Sequence, residues 1–352
     1  SGEPRGMYQR GMALLGKYVF LGEGVRGSLA KTAINAYGLD QCREPAKFGL
    51  GIKELWEIAP EKSKPGRIEH SFGWPLGDNT GGGSFLYHLG DNQVYVGFVV
   101  HLNYKNPYLS PFEEFQRFKT HPDVAELLKG GKRIAYGARA ITEGGFQSVP
   151  KLSFPGGALI GCGAGFVNVP RIKGSHNAVM SGIQAANAIA AALGAGRAND
   201  TLTDYEAGWR QSEIGRDLYP VRNVKPLWSK LGTLGGLAGA GADMWSHQLF
   251  GGSFLGTLGH GAPDHATLKP ARATRPIAYP RPDGLRSFDR PSSVYLSNTN
   301  HEEGQPVHLK VRDMALQQTS ELGVYGGPSA PHCPARGYEW DGGGSDARHV
   351  IH

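Results

Sequence analysis

The chain has 352 residues, a formal charge of +6, 39% hydrophobic residues and 53 glycines. That length suits two domains or one large irregular one, and the glycine content argues for tight turns and close backbone approaches rather than a helical bundle. No Lys/Arg run is long enough for a nucleic-acid patch, so the positive charge points to membrane phospholipid or an acidic protein as partner. Three widely spaced cysteines, Cys42, Cys162 and Cys333, form no disulfide framework and read as reduced thiols. No secretory signal opens the chain, whose polar start reads like the middle of a longer one, and no apolar run reaches the roughly 18 residues of a transmembrane helix.

In chain order, residues 17–21 read as a strand that runs into Gly22-Glu23-Gly24-Val25-Arg26-Gly27, with a helix expected from Ser28. This turn has the G-x-G-x-x-G spelling, a weak signal by itself. Residues 54–58 and 67–76 read as strands. Residues 83–88 and 93–101 alternate with period two about Gly90-Asp91-Asn92, the pattern of a β-hairpin. Residues 112–119 and 124–128 read as helices, as does 203–218, where Asp204 and Glu206 favour the dipole at the start.

The most informative stretch is residues 154–193. An apolar run, Ala158-Leu159-Ile160-Gly161, is followed by Gly163 and Gly165, then by Lys173-Gly174-Ser175-His176 and a small-residue helix over 177–193. Strand, glycine turn and helix N-terminus together bring unpaired N–H groups up to a phosphate or a flavin ring, or else make an ordinary strand-to-helix corner. Ser175 is the expected N-cap. Further on, residues 227–258 are rich in Gly, Ala, Leu, Phe and Trp but too broken to span a bilayer. They read as an interfacial element anchored by Trp228, Trp245, Leu249, Phe250, Phe254 and Leu255, or as a buried helix pair. Residues 263–291 read as an extended connector, 292–296 and 307–311 as strands, and the tail from Asp341 as frayed.

Several of these segments carry a resemblance. Leu159-Ile-Gly-Cys162, Gly165-Phe166, Asn168-Val-Pro170 and Ile172-Lys-Gly-Ser-His176 follow in order the second flavin-binding motif of the electron transfer flavoprotein–ubiquinone oxidoreductase family. GGSFLYH at 82–88, NPYLSPFEEFQRFKTHP at 106–122, GGKRIAYGARAITEGGFQSVPKLSFPGG at 130–157 and TNHEEGQPVHL at 299–309 also resemble that family. The likeness covers nearly the whole chain, about residues 18–340.

The resemblance implies three sites. Gly82 and Gly83, with Phe85 as a wall, would receive a ubiquinone headgroup; by themselves these glycines read rather as a β-bulge or hairpin cluster. The family usually has an aromatic residue where this chain has Gly81. FAD would be held by Glu23, Gly24, Gly161, Gly165, Gly174, Ser175 and His176, with Thr142 and Asn168 hydrogen-bonding the ring or else capping turns. Cys333, in CPARGYEW, matches the first cysteine of a 4Fe-4S cluster, so one of four ligands is present; Cys42 and Cys162 read as structural thiols. His88 and His301 read as structural.

The expected fold is mixed α/β: a flavoprotein-oxidoreductase frame with an inserted quinone-binding β-sheet domain, its N-terminal dinucleotide-binding unit missing. Expected boundaries are 1–48 and 131–222 for the FAD-binding remainder, 49–130 for the quinone-binding sheet, 223–260 for a membrane-surface segment, and 261–352 for the connector and part of an iron–sulfur domain. The resemblance implies an electron-transferring-flavoprotein dehydrogenase that passes electrons from reduced electron transfer flavoprotein through a 4Fe-4S cluster and FAD to ubiquinone, with this chain a fragment of it. Such a protein sits peripherally on the bacterial cytoplasmic membrane or the mitochondrial inner membrane. The alternatives are a related flavin dehydrogenase or geranylgeranyl-reductase-like protein, and a non-catalytic membrane-surface fragment. Three expectations follow. The chain alone holds FAD weakly or not at all. Gly82-Gly83 and the 228–258 segment share an apolar face with Arg222, Lys225 and Lys230 at its rim. Gly83→Val blocks quinone reduction while leaving flavin reduction intact.

Overall fold

The computed structural model describes residues 3–4, 6, 8–302, 305, 309, 311, 313–342 and 347–351. The elements used below are β1 (Val19–Leu21), α1 (Ser28–Tyr37), β2 (Phe48–Glu57), β3 (Ile68–Ser71), β4 (Gly82–His88), β5 (Gln93–His101), α2 (Pro111–Phe118), α3 (Pro122–Leu128) and β6 (Lys132–Thr142). They continue with β7 (Ser153–Phe154), β8 (Gly157–Leu159), α4 (Ser175–Gly194), α5 (Thr203–Gly208), α6 (Glu213–Leu218), α7 (Val224–Phe250), α8 (Arg290–Tyr295), β9 (Tyr338–Asp341) and β10 (Arg348–Ile351). The chain divides into two units: Ser1–Ala13, Leu50–Arg139 and Leu268–His352 form one, Leu14–Gly49 and Ala140–Thr267 the other.

The first unit is built on a five-stranded sheet of order β3-β4-β5-β2-β6. β4 and β5 pair antiparallel from Gly82 opposite Val100 to His88 opposite Val94. The hairpin expected at Gly90-Asp91-Asn92 is present: Asp91 and Asn92 have φ of 53° and 56°, as the tightest strand-to-strand turns require, and short polar side chains tolerate that best. Alternation sends Val94, Val96, Phe98 and Val100 to one face, where Phe112, Phe115 and Phe118 of α2 pack with Ile52 and Trp56 of β2. The connector covers this core with Leu268, Ile277, Phe288 and Leu296.

Among these apolar side chains lies a buried ion cluster. Glu54 and Lys119 are fully buried, with Lys119 Nζ 2.9 and 2.8 Å from the two Glu54 carboxylate oxygens, and Arg133 NH1 is 3.1 Å from Glu54 Oε1. Arg133 also donates to Ser293 Oγ of α8 at 2.6 Å and stacks on Phe288, which fastens the connector to the sheet. Burial pulls the Lys119 ammonium down to about 8, against the opposing pull of Glu54.

The second unit holds a three-stranded sheet, β1-β8-β7, in which β1 and β8 run parallel. α1, α4, α5 and α6 pack on it through Ala30, Ala33, Ala185, Tyr205, Trp209 and Ile214. α7 is kinked at Gly232, whose φ of 76° and ψ of −170° interrupt the helix.

Five sequence expectations change. Residues 67–76 form a strand only over Ile68–Ser71; Gly73 takes φ of 94°, and Pro75 beyond it has no N–H to donate. The strand expected at 54–58 is the end of the longer β2. Residues 203–218 are two helices, α5 and α6, because Ser212 turns out of the helix and caps α6 by accepting from Ile214 N. Residues 292–295 belong to a helix, with Leu296 as its C-cap, and not to a strand: Asp289 caps the helix through Ser292 N, and Pro291 fits its first turn. The tail is not frayed where it is described, since β10 pairs with β9 from Arg348 opposite Asp341 to Ile351 opposite Tyr338. The strand expected at 307–311 falls on residues 307, 308 and 310, which lie outside the described residues.

Three histidines of this fold are shifted by their surroundings. Burial pushes the imidazoles of His88, His260 and His332 below their usual value, although carbonyl hydrogen bonds at Gly144 and Pro328 partly oppose this for His260 and His332. The unfolded chain therefore binds more protons just below about pH 6.5, so stability is retained above that pH and falls as pH drops through it. The thermal midpoint should decline between about pH 7.5 and about pH 5, and His260→Gln should flatten that decline. A midpoint independent of pH over this window counts against the buried, neutral assignment.

Candidate functional site

In the second unit, the parallel pair β1 and β8 ends in two glycine turns side by side. Glycine turns at the carboxyl ends of parallel strands are where open α/β sheets place ligands. A Cβ on Gly163 would lie 3.3 Å from the Gly24 carbonyl oxygen. Gly161 and Gly165 take φ of 63° and 89°, and the Gly161 N–H donates to Ser181 Oγ of α4 at 2.8 Å. The structure thus brings Glu23, Gly24, Gly161 and Gly165 to one edge. Glu23 itself is committed to α1: its carboxylate accepts from Leu29 N at 3.2 Å and Ala30 N at 2.7 Å and so occupies that helix N-terminus. Thr142 is buried, its hydroxyl 3.2 Å from Cys162 Sγ.

The helix expected after the glycine turn begins at Ser175, but Gly174 is its N-cap and no side chain makes the capping bond, which corrects the assignment to Ser175. Around this start four polar side chains converge on Asp217 of α6. His176 Nε2 lies 3.0 Å and Asn177 Nδ2 2.9 Å from its Oδ2, and Arg171 NH1 lies 2.9 Å from its Oδ1. Asn168 Nδ2 donates to the Asp217 carbonyl at 3.1 Å, and Asn168 Oδ1 accepts from Arg171 N at 3.2 Å, so Asn168 caps its own turn. Burial would push the Asp217 carboxyl up, but the hydrogen bonds from Asn177, His176 and Asn168 prevail and hold it below the usual range. Asp217 and Ser181 escaped the sequence reading, because no local pattern links them to a turn some 15 to 50 residues earlier; only the fold does.

In the first unit, Gly82 and Gly83 open β4 between β3 and β5. A Cβ on Gly82 would lie 2.2 Å from the Val99 carbonyl oxygen, and one on Gly83 2.6 Å from the Ser71 carbonyl oxygen. Both glycines therefore serve close strand approach. Phe85, opposite Gly97, lays its ring over that glycine, where a Cβ would fall 2.0 Å from the ring. Gly83→Val would break the β3–β4 ladder at Ser71, so it is not the clean quinone probe that the sequence suggested. Phe72 and Trp74, beside this strand end, are 59% and 47% exposed and were not singled out from sequence.

Cys333 accepts from Gly337 N at 3.3 Å through its sulfur. It is the one cysteine of its unit; Cys42 is exposed and Cys162 sits in the glycine turn that follows β8. A 4Fe-4S cluster takes four thiolates, so the three cysteines of this chain do not complete one.

α7 and the turn after it expose Leu234 (72%), Trp245 (71%), Leu249 (73%), Phe250 (69%) and Phe254 (79%). No helix among the described residues is long and apolar enough to cross a membrane. The expected basic rim is corrected. Arg222 is buried, its guanidinium spent on Thr257 Oγ1 and the Tyr219 and Gly256 carbonyls, and Lys225 is buried against Glu143 at 2.5 Å. Only Lys230 of the three is exposed.

Comparison with known proteins matches residues 48–141 to the family described as ETF-QO, ubiquinone-binding, and residues 284–351 to the family described as electron transfer flavoprotein-ubiquinone oxidoreductase, 4Fe-4S. Those two domains in one chain define a quinone-linked iron–sulfur class. The chain is 50% identical over 340 residues to electron transfer flavoprotein-ubiquinone oxidoreductase of Pseudomonas aeruginosa, covering 96% of this chain and 61% of that protein. It is 48% identical over 351 residues to the mitochondrial protein of that name from Bos taurus, covering 96% and 56%. The chain belongs to the electron transfer flavoprotein–ubiquinone oxidoreductase family. It spans 61% and 56% of the length of these two relatives. Among solved structures, a geranylgeranyl bacteriochlorophyll reductase-like protein of Thermoplasma acidophilum aligns at TM-score 0.41 and 15% identity over 71% of this chain and 52% of that one. A flavin-dependent brominase aligns at 0.42 and 14% over 66% and 54%.

Proposed function

We propose that this chain forms part of an oxidoreductase that passes electrons from reduced electron transfer flavoprotein, by way of a 4Fe-4S cluster and FAD, to ubiquinone in a membrane. The observation that carries this is 50% identity over 96% of the chain, with the ubiquinone-binding match lying on the strands that bear Gly82, Gly83 and Phe85. In this reading, backbone groups at Gly82 and Gly83 receive the quinone headgroup, and Phe85 supplies an apolar wall. The turns at Gly24, Gly161 and Gly165 and the start of α4 would hold the flavin, which would supply one- and two-electron redox chemistry there. Gly174, Ser175 and His176 present the helix N-terminus, with Thr142 and Asn168 beside it. Asp217 holds His176 and Asn177 in place. Glu23 acts indirectly, by fixing the turn through α1. Cys333 supplies one cluster thiolate, and no step through the cluster is derived from this chain.

β1 is an edge strand whose Val19 is 50% exposed. We place the joining edge of a dinucleotide-binding unit there. Its pyrophosphate site would supply most of the FAD affinity, so the chain alone binds FAD weakly. The exposed apolar side chains of α7 support a peripheral seat on the bacterial cytoplasmic or mitochondrial inner membrane. The test is a cofactor-loaded enzyme containing this chain, given reduced electron transfer flavoprotein and a short-tailed ubiquinone. Quinone reduction is the expected result. Normal electron uptake from the donor with no quinone reduction would refute the reading. Tight, stoichiometric FAD on the isolated chain, seen by its visible absorbance, would refute the placement of the missing affinity.

A further inference from the structure

The geometry points to His101 as the residue that contacts the quinone headgroup and delivers a proton to it; this rests on the reading of Gly82 and Gly83 as the headgroup site. His101 closes β5 and is only 5% exposed. Its N–H donates to the Gly81 carbonyl at 3.0 Å, one residue before the Gly82–Val100 pair. Side chains alternate along a strand, so His101 shares a face with Val99 and Gly97. The register sets Gly83 opposite Val99 and Phe85 opposite Gly97. The imidazole therefore stands on the face that carries Gly83 and Phe85, one row, or about 7 Å, from the Gly83–Val99 pair.

The ring also explains Gly81. A Cβ at that position would lie 2.2 Å from His101 Nδ1, 2.8 Å from Cε1 and 3.0 Å from Cγ. The imidazole fills the volume that a side chain at position 81 would take, directly beside the glycine pair. An apolar-walled site thus gains a group that can both donate a hydrogen bond and release a proton. The backbone amides of Gly82 and Gly83 can do only the first.

Quinone reduction takes up two electrons and two protons. In the proposed reaction both electrons come from reduced FAD. Protonated His101 breaks one N–H bond and keeps the bonding pair on its nitrogen. The proton forms an O–H bond on the nearer quinone oxygen. The two protons that the reduced flavin gives up to water with its electrons balance the step: one restores the imidazolium and the other reaches the second quinone oxygen.

The experiment uses the cofactor-loaded enzyme containing this chain and a short-tailed ubiquinone. His101→Phe keeps a ring in place and removes the proton; turnover of quinone should fall about 100-fold while electron uptake from reduced electron transfer flavoprotein is unchanged. In His101→Gly, added imidazole should restore part of the turnover, whereas thiophene, a ring of similar size without a basic nitrogen, should not. Gly81→Tyr should lower the thermal midpoint, and the double variant Gly81→Tyr/His101→Gly should recover it without recovering turnover. Unchanged turnover in His101→Phe, equal rescue by imidazole and thiophene, or full turnover in the double variant overturns the proposal. A wild-type enzyme that reduces no quinone sinks the site reading and this proposal together; wild-type turnover with an unaffected His101→Phe sinks this proposal alone.

Discussion

Glu54→Gln should lower the stability of the sheet-bearing unit by about 3–5 kcal/mol, read as a shift of the urea midpoint. Glu54 is fully buried and is the carboxylate shared by two buried cations, Lys119 and Arg133. Removing its charge leaves both cations in an apolar surround of Trp56, Phe115 and Phe288. Aromatic faces attract them, but each such contact is worth only about 0.5–2 kcal/mol, less than the loss of the anion. The double variant Glu54→Gln/Lys119→Met should recover much of the loss, because one cation then remains and Arg133 keeps its bond to Ser293. Equal stability of Glu54→Gln and wild type would mean that water reaches this cluster. Because Arg133 and Phe288 tie the connector to the sheet, the variant should also speed proteolysis within residues 263–291.

Replacing Trp245, Leu249, Phe250 and Phe254 together with serine should weaken binding to phospholipid vesicles by about 30- to 1,000-fold. Full burial of such side chains is worth roughly 1.5–3 kcal/mol each, and even a third of that over four residues gives about 2–4 kcal/mol. All four are at least 69% exposed, so the folded protein should lose little stability. Arg222 and Lys225 are spent on internal partners, which leaves Lys230 as the exposed cation of the expected rim. Added salt should therefore weaken vesicle binding only slightly, as one lysine contributes about 1 kcal/mol at an anionic surface. Vesicle sedimentation that survives the quadruple substitution places the membrane contact elsewhere, and Phe72 and Trp74 are then the next residues to change.

Much of the second unit was legible because its signals are local. The apolar run ending at Gly161 and the helix starting at Ser175 follow from strand length, glycine freedom and small-residue helix preference. The β4–β5 hairpin follows from alternation and from residues that accept positive φ. The errors came where two local signals compete. Residues 292–296 carry a β-branched residue and an aromatic, yet Asp289 followed by Pro291 starts a helix. Residues 203–218 hold helix-forming residues throughout, yet Ser212 prefers a cap.

By itself the sequence determined the family, the glycine turns, the alternation of the sheet and the single cysteine of its context, because each is written in neighbouring residues. Only the tertiary structure decided which charges face solvent. Lys225 and Arg222 read as a basic rim until Glu143, 82 residues away, and the carbonyls of Tyr219 and Gly256 are seen to take them. The same holds for Asp217 at the start of α4 and for His101 over Gly81. Burial and pairing depend on which distant segments share a core, and charge and propensity carry no information about that until the chain has packed.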